Sequence, residues 1–369
     1  MSASPTASPI LRVDTAGKRF AALVEGASHP LDPKTAAGLA RFRPERLAVI
    51  VDPARAGRSA AEVLGVAHPA HVVRDLEGAA RAGANALLLG TAPVGGRLPE
   101  AWRAWVVEAI ERGWDVWGGL HDQLADDDVF RTTAARHGVA LVDLRRVPAE
   151  LPVAALRAAA IDAEVVLTVG SDCNVGKMTA AWALTEELGR RGERAAFVAT
   201  GQTGILLSGW GLAVDRVPAD FIAGAAEALV LEAARGADWA IVEGQGSLVH
   251  PGYSGVTLGL LHGSVPRSLV LCHQAGRERV KHGGLSIPSL ERLISIYEEA
   301  AEWVSPARVR GVALNTFGLS PAEREVEKAR AHAETGLPVT DVTVDGAAAL
   351  VDALVRARDE ARVERGDHR

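Results

Sequence analysis

Glu164-Val165-Val166-Leu167-Thr168-Val169-Gly170-Ser171-Asp172-Cys173-Asn174-Val175-Gly176-Lys177-Met178-Thr179 is the stretch on which the reading of the whole chain turns. Its first half is an apolar run, Glu164–Val169, of strand length. Its second half is a glycine-bounded loop that ends on Gly-Lys, and the spacing from Thr179 to Gly189 is helical. A strand, a loop rich in main-chain N–H groups and a helix N-terminus are the parts of a phosphate-binding P-loop. The loop curls its amides inward, the helix end adds partial positive charge and Lys177 adds a full one. The phosphate or cofactor ligand set read here is therefore Gly170, Ser171, Asp172, Cys173, Asn174, Val175, Gly176, Lys177, Met178 and Thr179.

The loop departs from the common pattern twice. Five residues separate Gly170 from Gly176, and Met178 follows the lysine. Nucleotide hydrolases place a Mg²⁺-binding Ser or Thr there. Thr179 comes one residue later, about 100° around the helix, and cannot simply replace it. Such a loop suits phosphate binding better than metal-dependent phosphoryl transfer, and no metal ligand set is read. Cys173 lies inside the ring of donors, where a thiol's pKa falls; the preferred role is a small residue packed under the loop.

Working outward from the loop, Ala195–Val198, Trp239–Val242, Ser268–Leu271 and Val309–Leu314 read as further strands, with a helix at Phe221–Arg235. Upstream, Leu47–Val51, Ala86–Leu89, Asp115–Trp117 and Ala140–Val142 alternate with helical patterns such as Pro99–Arg112. Alternating strands and helices imply mostly parallel sheets. The fold class is α/β: an N-terminal Rossmann-like domain, residues 1–150, followed by a P-loop NTPase-like doubly wound parallel sheet domain, residues 151–369. The boundary falls near Pro148–Pro152.

The chain has 369 residues, enough for two such domains. A net charge of −6 with no long basic run argues against a nucleic-acid partner. Two cysteines, Cys173 and Cys272, make no disulfide scaffold and point to the cytoplasm. No basic-then-apolar leader is read at Met1–Pro5, and no run approaches the ~18 apolar residues of a membrane span. A homo-oligomer is expected.

Ligands of doubly wound sheets sit at the C-terminal strand ends. Glu243-Gly244-Gln245-Gly246-Ser247 follows one strand, and Glu243 is a candidate acid–base group there. His250, in the loop beyond, is a second candidate base. Gln245, Arg277 and Asn315 are candidate substrate contacts; Arg277 can clamp a carboxylate bidentately, and Asn315 can meet an amide. Gly201-Gln202-Thr203-Gly204, Asp215 and Asp220 are read as switch-like loops around the ligand, with Asp220 equally placed to cap the helix that starts at Phe221. In the first domain, Gly90–Gly96 and Gly118–Asp122 are strand-end turns, the first of which can bind an anion.

Gly-Ser-Asp-Cys-Asn-Val-Gly-Lys-Met-Thr at 170–179, Glu-Gly-Gln-Gly-Ser-Leu at 243–248 with His250-Pro251, and Ala-Pro-Val-Gly-Gly at 92–96 together resemble the DgcN-type D-glutamate N-acetyltransferase family. The likeness runs from about Arg46 to Ala353, with Ser171 standing where a threonine is usual. It implies acetyl transfer from acetyl-CoA to the amine of D-glutamate in D-amino-acid catabolism, with the P-loop holding CoA phosphates. The loop also resembles that of dethiobiotin synthetase, which supplies the alternative: an ATP- or GTP-dependent ligase, using Mg²⁺, that acts on a small carboxylate or amine.

Overall fold

The structure is a computed structural model that describes residues 10–27, 29, 32–91, 93, 95–281 and 284–364. It contains fourteen strands among those residues: β1 (Leu11–Arg12), β2 (Phe20–Leu23), β3 (Leu47–Val51), β4 (Val72–Val73), β5 (Ala86–Leu89), β6 (Asp115–Gly118), β7 (Leu141–Asp143), β8 (Glu164–Gly170), β9 (Ala195–Val198), β10 (Trp210–Gly211), β11 (Trp239–Val242), β12 (Ser268–Gln274), β13 (Arg308–Asn315) and β14 (Val339–Thr340). The chain divides into two compact units. The first holds Leu11–Val147 and Gly201–Arg216; the second holds Pro148–Thr200 and the chain from Val217 onward.

In the first unit six parallel strands run in the order β4-β3-β2-β5-β6-β7. The chain builds outward from β2 to β4, then returns to the other side of β2 with β5. That reversal is the Rossmann-like arrangement, and its crevice opens at the C-terminal strand ends. Strands covered on both faces need apolar side chains throughout, and Phe20, Ala21, Ala22 and Leu23 are all fully buried. Leu87, Leu89, Trp102, Val106 and Ile110 join the core beneath them. The helix expected over Pro99–Arg112 begins as a tight turn, Glu100–Trp102, and continues as Arg103–Glu111.

Segment Gly201–Arg216 belongs to this unit, although the boundary read from sequence assigns it to the P-loop domain. Its strand β10 pairs antiparallel with β1. Thr203, on the helix Gln202–Ser208, shares a 3.1 Å hydrogen bond with Thr35 of the helix Lys34–Phe42.

In the second unit the parallel order is β14-β13-β12-β8-β11-β9. β8 is central, flanked by β11 and β12, and all seven of its residues are buried. Each of its Val and Leu side chains contributes roughly 1.5–3 kcal/mol by leaving water. The helix Lys177–Arg190 follows the loop that closes β8. At the entry to the unit, the buried Glu227 carboxylate accepts hydrogen bonds from the amides of Ala155 and Arg157 and from the Arg157 guanidinium. That clamp fixes the connecting chain to the helix Ile222–Ala233. No helix among the described residues is long and apolar enough to cross a membrane.

Candidate functional site

The order of the second sheet gathers the candidate residues. β8 ends in the P-loop, β11 ends at Glu243, β9 leads to Thr200, and β12 and β13 end at Gln274 and Asn315. Five C-terminal strand ends thus surround one loop, although their residues are scattered from 170 to 315.

The P-loop takes the conformation its residues require. Asn174 and Gly176 have φ values of 60° and 109°. The second lies where a side chain is strained, so the glycine before Lys177 is a steric necessity. The N-terminus of the helix Lys177–Arg190 then faces the loop, leaving its first amides for an anion. Lys177 is buried, and its Nζ donates to the Asp172 carbonyl at 2.7 Å. Burial pulls its pKa down, against the attraction of nearby Cys173, Cys272, Asp172 and Glu243.

Asp172 fastens the loop from within. Its carboxylate accepts from the Cys173 amide at 2.7 Å, the Lys281 amide at 2.7 Å and Arg277 Nη1 at 3.0 Å. Arg277 Nη1 also donates to the Cys173 carbonyl at 2.7 Å, and its Nη2 donates to Gln274 Oε1. The guanidinium that sequence reading offers to a substrate carboxylate is therefore engaged with the loop, in a positioning role.

Glu243 is buried beside this assembly. Its Oε2 accepts from the Thr200 amide at 3.0 Å, and Thr200 Oγ1 donates back to the Glu243 carbonyl at 2.6 Å. Gly244 presses on the strand that carries the P-loop: a Cβ there would lie 1.7 Å from the Thr168 carbonyl oxygen. Its amide donates to Thr168 Oγ1 at 2.9 Å. Gln245 reaches Thr200 Oγ1 through Nε2 at 3.3 Å. Asn315 stands close to the loop, its Cβ 4.0 Å from where a side chain on Gly176 would begin. Its Oδ1 accepts from the Phe317 amide at 3.0 Å, leaving the amide nitrogen as its outward donor.

His250 is brought near the P-loop, but its ring is committed. Nε2 donates to the Lys281 carbonyl at 2.8 Å and Nδ1 accepts from the Gly252 amide at 3.1 Å. A carbonyl only accepts and an amide only donates, so the tautomer is fixed and neither nitrogen is open to an incoming proton. The geometry gives His250 a loop-shaping role in place of the base role read from sequence. Asp172, Cys173 and His250 do place one ligand atom each within 4.8 Å of one another, a grouping a cation could use only by displacing these hydrogen bonds.

Two residues of the site had no sequence signal. Tyr297, on the helix Leu290–Glu302, is fully buried. Its hydroxyl donates to the Gly170 carbonyl at 2.7 Å and accepts from the Leu248 amide at 3.2 Å. Burial raises the phenol's pKa and keeps that proton in place. Ser171 Oγ bonds His273 Nδ1 at 2.8 Å. Burial, with Arg277 and Arg330 adding repulsion, lowers the His273 pKa to about 4, so the ring is neutral near pH 7. Thr200, just after β9, is the second residue without a signal. The switch-like reading of the next segment does not hold: Gln202–Ser208 is a packed helix of the first unit, Asp215 pairs with Arg145, and Asp220 is exposed. Cys272 is buried and its thiol is pushed up to about 12 by burial. Of the motif at 92–96, Ala92 and Val94 lie outside the described residues.

Residues 152–351 match a domain of unknown function described as the DUF1611 C-terminal P-loop domain, and residues 53–147 match the DUF1611 N-terminal Rossmann-like domain. The chain belongs to the DUF1611 family. A solved DUF1611 family protein from Anabaena variabilis is similar with a TM-score of 0.88 and 36% identity, covering 92% of this chain and 100% of that one. Two relatives are called D-glutamate N-acetyltransferase. One, from Tritonibacter scottomollicae, is 38% identical over 76% of this chain and 84% of its own length. The other, from a Pseudoalteromonas species, is 39% identical over 74% and 82%.

Proposed function

We propose that this chain is an amino-acid N-acetyltransferase that moves the acetyl group of acetyl-CoA to the amine of D-glutamate, in the breakdown of D-amino acids. The observation that carries the reading is the 38–39% identity, over about three quarters of the chain, to two proteins of that name. The site's chemistry supports it. In this reading the P-loop amides and Lys177 hold phosphates of CoA, and the thioester arm reaches the ends of β8 and β11. The absence of a hydroxyl at position 178 is no handicap, because a loop that only anchors a phosphate needs no metal ligand there.

The amine attacks the thioester carbonyl; a C–N bond forms, the C–S bond breaks and the sulfur leaves as a thiolate. The ammonium must give up one proton before attack, and the attacking nitrogen gives up a second as the amide forms. One of these neutralises the CoA thiolate and the other leaves with a base. Glu243 is the carboxylate at a strand end next to Lys177, and it takes the base role here. The amides of Gly244 to Gly246 are the donors offered to the tetrahedral oxyanion. Incubating the protein with acetyl-CoA, ATP and a panel of D- and L-amino acids, with products read by mass spectrometry, tests the reading. N-acetyl-D-glutamate formed without ATP is the expected result; product that appears only with ATP and Mg²⁺ would establish the ligase reading instead.

A further inference from the structure

The first unit carries a polar cavity of its own, which the acyl-transfer reading does not use. It has a volume of about 440 Å³, within the range of small-molecule sites, and Arg97, Arg103, His121, Asp122, Phe130 and Arg216 are among its lining residues. His121 follows β6, and its amide donates to the Gly96 carbonyl at 2.7 Å, tying together the two strand-end turns singled out in the sequence. These are C-terminal ends of a doubly wound sheet, where such folds bind ligands.

The charges around the cavity are unevenly matched. Arg103 pairs with Asp127 at 2.7 Å and Arg97 with Asp122 at 3.6 Å. Behind the wall, Arg145 is buried and pairs with Asp215. Arg216 has no carboxylate within ion-pair reach among the described residues; its one polar partner is His121 Nδ1, at 3.3 Å. A guanidinium only donates, so that histidine nitrogen presents its lone pair and the ring is not an imidazolium. Its surroundings agree: burial, then Arg145 and Arg216, lower the His121 pKa. Arg145 feels the same crowding. Burial first and the Arg216 charge second bring its pKa down to about 10, and its Nε has no hydrogen-bond partner among the described residues. Two guanidiniums thus repel one another at the edge of a cavity, and of the two only Arg145 has a carboxylate in ion-pair reach among the described residues.

We propose that this cavity binds the carboxylate of a small organic acid, with the Arg216 guanidinium as its principal contact. The planar fork of a guanidinium matches a carboxylate bidentately. One added negative charge offsets the one unmatched arginine. Asp122, Asp126 and Asp127 on the wall disfavour a more highly charged phosphate ester. The inference concerns the first unit alone and stands whether or not the second unit transfers acetyl groups.

The test is isothermal titration calorimetry on the full-length protein without acetyl-CoA, using succinate, acetate and inorganic phosphate as probes. Succinate binds the unsubstituted protein, binds Arg216→Ala about tenfold to a hundredfold more weakly, and regains part of the loss in Arg216→Lys. Arg216 is exposed, so its replacement leaves the fold intact. Equal affinity in Arg216→Ala, an Arg216-dependent phosphate affinity tighter than that of either carboxylate, or no heat with either carboxylate would each overturn the proposal.

Discussion

Replacing Tyr297 by phenylalanine removes one oxygen and leaves the ring in place. That oxygen bridges the base of the P-loop, through the Gly170 carbonyl, and the loop after β11, through the Leu248 amide, at 2.7 and 3.2 Å. A third contact, from the Gly170 amide at 3.4 Å, is too long to add much. The ring is fully buried, and Leu248 is half-buried. A buried donor or acceptor left unpaired costs about 1–3 kcal/mol, so the two together cost at most about 2–6 kcal/mol. Equilibrium urea unfolding reads this as a lower midpoint at unchanged slope. The same change loosens Gly170, where the P-loop begins, and titration with acetyl-CoA should show affinity lowered about tenfold. A stability loss below about 0.5 kcal/mol together with unchanged acetyl-CoA affinity would refute the claim that this hydroxyl clasps the two loops.

Lys177→Ala should weaken acetyl-CoA binding by about tenfold to a hundredfold in calorimetry, because a charge-assisted hydrogen bond to phosphate is lost; unchanged affinity removes the P-loop from cofactor binding. Glu243→Gln should lower kcat by about 10²–10⁴ with acetyl-CoA binding retained, whereas near-native kcat across about pH 6–9 excludes it as the base. His273 has a folded-state pKa near 4 against 6.5 for the free side chain, so between those values the unfolded chain binds more protons. Stability should therefore be fully present above about pH 6.5 and fall as the pH drops toward 4, by up to about 3 kcal/mol. His273→Asn should flatten that part of a pH series of urea unfolding curves, and a profile identical to the parent's contradicts the assignment. Iodoacetamide at pH 8 should label Cys173, which is half-buried, and spare Cys272, whose thiol is fully buried and held at about 12; peptide mass mapping that finds Cys272 labelled first reverses that order.

What was legible in the sequence is what is contiguous. The P-loop, with its strand before and helix after, is read from sixteen consecutive residues because phosphate binding is a local arrangement of amides. Glu243 is legible for a related reason, since a carboxylate next to two glycines at a strand end has few structural uses. Tyr297 is invisible by the same logic: it lies 127 residues from its partner Gly170, on a helix whose own pattern only marks it as core. The Ser171–His273 bond spans 102 residues. His250 and Arg277 were legible as residues near the site, but residue type does not say whether a ring nitrogen or guanidinium is already engaged by main chain. In the first unit, Phe20-Ala21-Ala22-Leu23 escaped notice because two alanines make a weak strand signal. Position between β3 and β5 makes it a strand, and that is a property of the sheet.

The arrangement around Asp172 bears on what the P-loop can be for. A loop that performs chemistry on a phosphate has to offer groups to a metal or to the reacting phosphorus. Here the Asp172 carboxylate takes three donors from the protein, and Met178 occupies the position after the lysine. Lys177 is turned onto the loop's own Asp172 carbonyl, so an arriving phosphate exchanges one hydrogen bond of Nζ for a stronger, charge-assisted one. The amides and the helix end need no rearrangement to meet it, because Asp172 and Arg277 already hold the loop in shape, and such preorganisation lowers the entropic cost of binding. Under the proposed function, a loop built this way grips a phosphate and leaves it unchanged. That fits a co-substrate whose reacting bond lies well away from its phosphates, as the thioester of acetyl-CoA does. The catalytic demand then falls on the neighbouring strand end, where Glu243 sits beside Lys177.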